Sequence, residues 1–372
     1  MTRVCHLFDA TTGWEQRVGV GHLLDRLPGD RYAHRLAALH PVARAALAPL
    51  DRPVVSITQP RGVGVLAVPV ARGWAMRERA DVIHGWGASA ACAAASGDTP
   101  MVVTVFDPAC VRETARKLLA IARPDGFAIA CSSVHVRRRV VEHGIAPDAS
   151  VVIRPGVDFG LIRRRGRDAI RSALGIEQHE RMVVIPATAG RTRSQVDACL
   201  ASVLQDVVDR DLRVVIPGAS PGARRMRRLA ASLPVVRPAL APPDGLGFEE
   251  IVTAADVLIV AATGDVSTTA IAWAMGARVA VIAPAVHAVA EIIAHKLNGL
   301  LFKPRDDGRH VVAIAGLLRD RATQARVTET AHGQAYDVFS VRRFADQYAR
   351  LYGNVAAGRP AGEGIADPAM IG

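Results

Sequence analysis

The stretch from Ala255 to Pro304 constrains the fold more than any other part of the chain. It reads ADVLIVAATGDVSTTAIAWAMGARVAVIAPAVHAVAEIIAHKLNGLLFKP. An apolar run, Val257 to Ala261, ends in a small polar turn. An Ala-rich segment of helical spacing follows, then a second apolar run (Val279 to Ala283), a loop and helix carrying Glu291, and the turn Asn298-Gly299. Short continuous apolar runs suit strands buried on both faces, and strands that alternate with helices pair in parallel through crossovers. The turn places Asp265, Ser267, Thr268 and Thr269 at a helix N-terminus, where unpaired N–H groups attract an anion.

The same alternation runs through the rest of the chain. Strands are expected at Val4–Phe8, Val54–Thr58, Val82–His84, Met101–Val105, Ala128–Cys131 and Val151–Arg154, with helices over Glu15–Arg26, Arg112–Ala122 and Val134–His143. A Pro-Gly turn and a charged run then interrupt the pattern. Strands resume at Met182–Pro186, Leu212–Pro217, Val257–Val260 and Val279–Ile282. With 372 residues, two α/β domains are the expected architecture. The partition read from the sequence is a first Rossmann-like domain over 1–158, a linker over 159–180, a second Rossmann-like domain over 181–335, a helix over 336–353 crossing back to the first domain, and a tail without fixed structure over 354–372.

Composition excludes several classes. Half the residues are hydrophobic, so a sizeable core is available. No apolar run is long enough to span a bilayer, and the start MTRVCHLFDATTG lacks the basic-then-apolar pattern of a secretory signal. The five cysteines are scattered and never spaced C-x-x-C, which speaks for reduced thiols in a cytoplasmic setting and against a metal site. The formal charge of +11 is carried almost entirely by arginine. That bias reads two ways, as the mark of a GC-rich genome or as attraction to phosphate-bearing partners. Aromatics make up 4% of the chain and do not interleave with the arginine clusters, so nucleic acid is not an expected partner. Arg137, Arg138 and Arg139 lie on a helix-like segment with apolar residues around them, which allows weak, salt-sensitive contact with an anionic membrane at the inner face.

The Ala255–Pro304 stretch resembles the donor-sugar segment of the retaining glycosyltransferases of the family 4 type (glycosyl transferases group 1), which have the two-domain GT-B fold. Asp265 sits at that family's first acid, Ala274-Met275 match, and Glu291 and Gly299 keep the later spacing. Trp273 stands at the second acid, and Arg278 and Ala280 replace Gly and Pro. The likeness extends through about 350 residues. GWEQRVGVGHLLDRL is similar to the family's first turn and helix at Gly13 and Glu15. RADVIHGWG matches at Asp81 and His84, with Trp86 for a second His. DTPMVVTVFDPA keeps Asp107 with Phe106 for a His, and VVIRPGVDF matches at Pro155, Gly156, Val157 and Asp158.

The resemblance implies two domains facing across a cleft and sugar transfer from a nucleotide-sugar to a glycan or lipid-linked acceptor, with retention and without a required metal. It implies donor-side roles for Asp265, Glu291 and the cations Arg191 and Arg193, joined by Ser267, Thr268 and Thr269. On the acceptor side it points to Gly13, Glu15 and His84, with Asp107 as a candidate base. Each has a plainer reading. Asp265, Asp107 and the hydroxyls can be caps, the arginines ordinary loop residues and His84 a core histidine. Trp273 either stacks on a ligand ring or packs between helix and sheet. The departures at Phe106, Trp273 and Arg278 leave open a catalytically impaired homologue that binds a sugar-nucleotide or a partner glycosyltransferase. A nucleotide-sugar epimerase of the same fold is a third reading.

Overall fold

The apolar runs of both halves become parallel strands. The computed structural model describes residues 1–57, 67–87, 90, 99–121, 127–164, 166–186, 211–218, 221–232, 240–242, 246–260, 262, 266–303 and 320–368. Two units form, one from Met1–Gly156 with Val341–Pro368 and one from Val157–Ser340. In the first, β1 (Thr2–Phe8), β2 (Tyr32–Ala38), β3 (Val54–Ser56), β4 (Val82–Trp86), β5 (Met101–Val105), β6 (Phe127–Cys131) and β7 (Ser150–Val152) make a parallel sheet ordered β3-β2-β1-β4-β5-β6-β7. In the second, β8 (Arg181–Val184), β9 (Leu212–Val215), β10 (Val257–Ile259), β11 (Ala280–Pro284) and β12 (Leu300–Phe302) are ordered β12-β11-β10-β8-β9, also all parallel. The expected fold class, Rossmann-like parallel sheets flanked by helices, is the one observed.

Strand alternation sorts the first core into two layers. Cys5, Leu7, Ile83, Val103, Val105 and Ile129 face one way, with Leu118 and Val136 from the covering helices. Val4, Phe8, Val82, Trp86 and Val102 face the other, where the first helix (Trp14–Arg26) and the terminal helix (Val341–Ala356) cover them. The terminal helix presents Phe344, Tyr348, Leu351, Tyr352 and Val355 to this layer, a helical stripe buried to 9% exposure or less.

That layer holds a buried polar network. The Trp86 indole donates to Nδ1 of His6 (3.1 Å), and Nε2 of His6 lies 2.9 Å from Nδ1 of His34. An indole N–H only donates, so neutral His6 carries its proton on Nε2 and passes a hydrogen bond to His34. His84 bonds the Tyr352 hydroxyl through Nδ1 (2.8 Å) and Thr104 Oγ1 through Nε2 (2.7 Å), and Thr104 meets the Tyr348 hydroxyl at 2.6 Å. Burial pushes the pKa values of His6 and His84 well below the ordinary histidine value and that of His34 down to about 4.

Two parts of the expected partition are corrected. Residues 159–180, read as an inter-domain linker, fall within the second unit. The helices Phe159–Arg164 and Arg167–Ala173 belong to the second unit, where the buried Arg171 guanidinium donates to Asp256 and to the carbonyls of Ala254, Glu177 and Glu180. Arg167 pairs with the same Asp256. The tail is also packed through residue 368. Asn354 donates to the carbonyls of Ala361 and Glu363, Gln347 to that of Ala366, and Arg154 makes a two-pronged pair with Asp367 (2.8 and 3.0 Å). No helix of the described residues is long and apolar enough to cross a membrane.

Two outcomes follow from the network. The three histidines bind protons more weakly folded than unfolded, so their stabilisation is complete above pH 6.5 and is lost as pH falls from there toward about 4. Urea unfolding of the first unit should show its midpoint dropping between pH 6.5 and 5, above the range where most carboxylates titrate. Tyr352→Phe leaves Nδ1 of buried His84 without its partner and should cost about 1–3 kcal/mol at neutral pH in the same measurement.

Candidate functional site

Open parallel sheets bind ligands beyond the carboxyl ends of their strands, where strand order reverses direction. In the first sheet that point lies between β1 and β4. The chain leaving β1 runs through Asp9 to Gly13, which caps the first helix, and the chain leaving β4 turns at Gly87. Asp9 is 3% exposed and accepts from the Thr11 amide (2.9 Å), the Thr11 hydroxyl (2.6 Å) and the Ala90 amide (3.1 Å), tying the two loops together. Gly87 has φ +128°, and a Cβ there would lie 2.6 Å from the Asp9 carboxylate. Thr12 Oγ1 is buried with no hydrogen-bond partner among the described residues.

Glu15 and Asp107 flank this point. Asp107 caps the turn after β5, accepting from the Ala109 amide at 2.9 Å. The Cys110 thiol is pushed up to about 11, chiefly by burial and then by the charges of Asp107, Asp9, Glu113 and Glu15. Gly13, Glu15 and Asp107 are brought to one edge of the sheet. His84 is not, since both its nitrogens are bonded inside the core. Phe106 and Trp86 are core residues too, at 3% and 0% exposure, and Gly19 of the first helix approaches both. Asp9 was missed by sequence reading. An Asp just past a strand is common, and only the fold brings Gly87 onto it.

In the second sheet the reversal lies between β8 and β10. The chain leaving β10 returns at Val266 and Ser267 and starts the helix Thr269–Gly276. Ser267 Oγ accepts from the Thr269 amide (3.3 Å) and sits 3.0 Å from Thr269 Oγ1. Thr268 is 1% exposed, and its hydroxyl has no partner among the described residues. A buried hydroxyl beside a helix start suits an acceptor atom brought by a ligand. Asp265, Arg191 and Arg193 lie outside the described residues. Glu291 follows the short helix His287–Ala290 as its C-cap. Among the described residues no group of three His, Cys, Asp or Glu side chains is arranged to hold a metal ion.

The two remaining departures have structural explanations. Every residue of the helix Thr269–Gly276 is buried, and Trp273 is fully so, which rules it out as an exposed stacking platform and corrects its assignment to the ligand. Arg278 has φ +57°, a left-handed conformation that favours glycine, and its side chain leaves the backbone to pair with Glu329 at 2.7 and 3.2 Å.

Comparison with known proteins bears on both units. The model of Glycosyltransferase Family 4 matches residues 17–160, and that of the glycosyl transferases group 1 matches residues 182–320. No curated protein matches the sequence. Among solved structures, HepE of Anabaena in complex with UDP and glucose is similar with TM-score 0.75 and 16% identity, over 95% of this chain and all of that one. Sucrose-phosphate synthase of Thermosynechococcus elongatus has TM-score 0.73 and 15% identity, over 96% of this chain and 100% of that one. UDP-GlcNAc 2-epimerase of Neisseria meningitidis has TM-score 0.61 and 11% identity, over 94% and 99%. By its sheets and by the domain in each unit, the chain is a glycosyltransferase-family protein of the GT-B fold. That fold is shared by the epimerase.

Substitutions at the departures should separate packing from chemistry. Trp273→Glu places a carboxylate in a closed core and should unfold the second unit or lower its melting temperature sharply. Arg278→Gly should leave nucleotide affinity unchanged within a factor of two, because the side chain it removes is engaged by Glu329 at the surface. Calorimetric titration with UDP checks the second, and a large change there would return Arg278 to the site.

Proposed function

We propose that the protein moves a sugar from a nucleoside-diphosphate sugar to a glycan or lipid-linked acceptor, with retention of configuration and without a required metal. The observation that carries this reading is the pair of glycosyltransferase domains, one in each unit. The UDP and UDP-glucose complexes of the similar HepE put UDP-sugars first among donors to test. Departure of a diphosphate builds negative charge on its oxygens, and donors aimed there lower the barrier. The start of the helix Thr269–Gly276 offers such donors, namely the hydroxyls of Ser267, Thr268 and Thr269, with Arg191 and Arg193 as the cations. Asp265 and Glu291 accept from donor hydroxyls. On the first unit, Gly13 and Glu15 meet the acceptor, and Asp107 takes the acceptor proton.

A second reading has its own support. Phe106 and Trp86 fill the core where the family resemblance places imidazoles, and buried Trp273 replaces an acid. These departures favour a homologue that binds a sugar-nucleotide, or a partner glycosyltransferase, without transferring the sugar.

Thr268 gives the test its sign. Thr268→Val deletes a buried hydroxyl that has no partner among the described residues, so the ligand-free protein should be as stable as before or more so. If that hydroxyl bonds the diphosphate, UDP affinity should fall about 10–100-fold, the equivalent of one charge-assisted hydrogen bond of roughly 1.5–3 kcal/mol. A UDP-sugar at 100 times its dissociation constant should stabilise the wild type by about 2.7 kcal/mol in a thermal-shift panel. Asp265→Ala should weaken donor binding without lowering the ligand-free melting temperature. A flat panel would sink the donor site, while binding without transfer or donor hydrolysis would select the second reading.

A further inference from the structure

A cavity of about 370 Å³ opens at the other end of the first unit, at the amino edge of its sheet. It lies between the start of β2, the last turns of the terminal helix and the segment that follows that helix. Arg31, Tyr32, Arg350, Asn354, Arg359 and Glu363 line it. β2 has seven residues, so the cavity is about 20 Å from the carboxyl edge where the acceptor site is placed. It falls in the size range of small-molecule sites.

Its charge is unbalanced. Glu363 pairs with Arg359 at 3.0 Å, and among the described residues Arg350 reaches only a neutral acceptor, the Gly364 carbonyl, at 3.3 Å. The backbone of Arg31 is fixed, its amide donating to the Pro28 carbonyl and its carbonyl accepting from Thr2. Its guanidinium has no hydrogen-bond or ion-pair partner among the described residues. Three arginines against one glutamate leave two positive charges facing a concave site. Guanidinium forks match phosphate oxygens in pairs, and Tyr32 lies beside them in the lining.

From this juxtaposition we infer a second ligand site, specific for a phosphate-bearing small molecule and separate from the donor and acceptor sites. The ligand bridges Arg31 on the sheet edge to Arg350 on the terminal helix. It thereby reinforces the hold of residues 357–368 on that helix, which Asn354 and Gln347 already provide. The inference does not rest on the glycosyltransferase reading, since no residue of the cavity belongs to that site.

Inorganic pyrophosphate is the probe, titrated calorimetrically into the full chain with UDP present at saturation for any donor-site binding. Binding should be salt-sensitive and should raise the melting temperature of the first unit. Arg31→Ala should leave the ligand-free melting temperature unchanged and weaken binding about tenfold or more, and Arg31→Glu should abolish it. Arg31→Lys keeps the charge without the fork and should fall between. The phosphate has two possible sources, so co-sedimentation with phosphatidic acid/phosphatidylcholine vesicles is the second arm. Sedimentation lost in Arg31→Glu assigns the site to a lipid headgroup, and pyrophosphate binding without sedimentation assigns it to a free metabolite. Pyrophosphate affinity and sedimentation that are both absent, or both indifferent to Arg31→Glu, would overturn the site. A protein that loses UDP binding but keeps Arg31-dependent pyrophosphate binding would refute the donor site alone.

Discussion

The first unit depends on a helix made by the far end of the chain. Tyr348 and Tyr352 are separated from His84 and Thr104 by more than two hundred residues, yet their hydroxyls close the hydrogen-bond network of the sheet. A parallel sheet must be covered on both faces, and the terminal helix covers one of them. The polar atoms beneath it are costly to bury unless each finds a partner. Helix and network therefore require each other. Removing the helix exposes an apolar layer and leaves Nδ1 of His84 without its partner, and removing the His84 imidazole leaves the buried Tyr352 hydroxyl without its partner. The rings stay neutral because burial disfavours their charged forms, which couples this core to pH.

Arginine has a double use in this chain. Much of the +11 formal charge in the sequence is spent on structure. Arg171 gathers carbonyls from two loops, Arg227 holds those of Ile216 and Gly218, and Arg137 those of Pro147 and Ser150. Arg138 and Arg139 pair with Glu142 on their own helix. Of that polybasic run, Arg137 is held by carbonyls of its own unit, while Arg138 and Arg139 stay exposed beside Glu142. Arg31 is different, because its backbone is fixed and its side chain has no hydrogen-bond or ion-pair partner among the described residues. Charge on its own says little about partners until these engagements are known.

The departures from the glycosyltransferase pattern divide by the same logic. Arg278 occupies a left-handed backbone position, so the glycine it replaces answers to backbone geometry rather than to ligand chemistry. Trp273 and Phe106 are different, for each replaces a polar group by a buried apolar one. Around them the strand ends, the tight Asp9–Gly87 contact and the hydroxyl-rich helix start remain at the two reversal points.

Strand existence and parallel pairing were legible in the sequence, because a strand buried on both faces needs an unbroken apolar run and a crossover helix needs its own period. Every strand read from the sequence is present, within a residue or two at its ends. β2 and β12 were not read, since YAHRLAA carries His34 and Arg35 in place of an apolar run and LLF is too short to show a period. Residue identity also marked Gly13, Asp107, Ser267, Thr268 and Thr269 as lying at strand ends and helix starts. Only the tertiary structure decided what those residues face. It placed His84 between two tyrosines, Trp273 inside the sheet packing and Gly87 against Asp9, and it folded residues 354–368 onto the terminal helix. These outcomes depend on contacts between segments far apart in the chain. Local pattern carries the period of a strand or helix, but not the partner that fills the space above it.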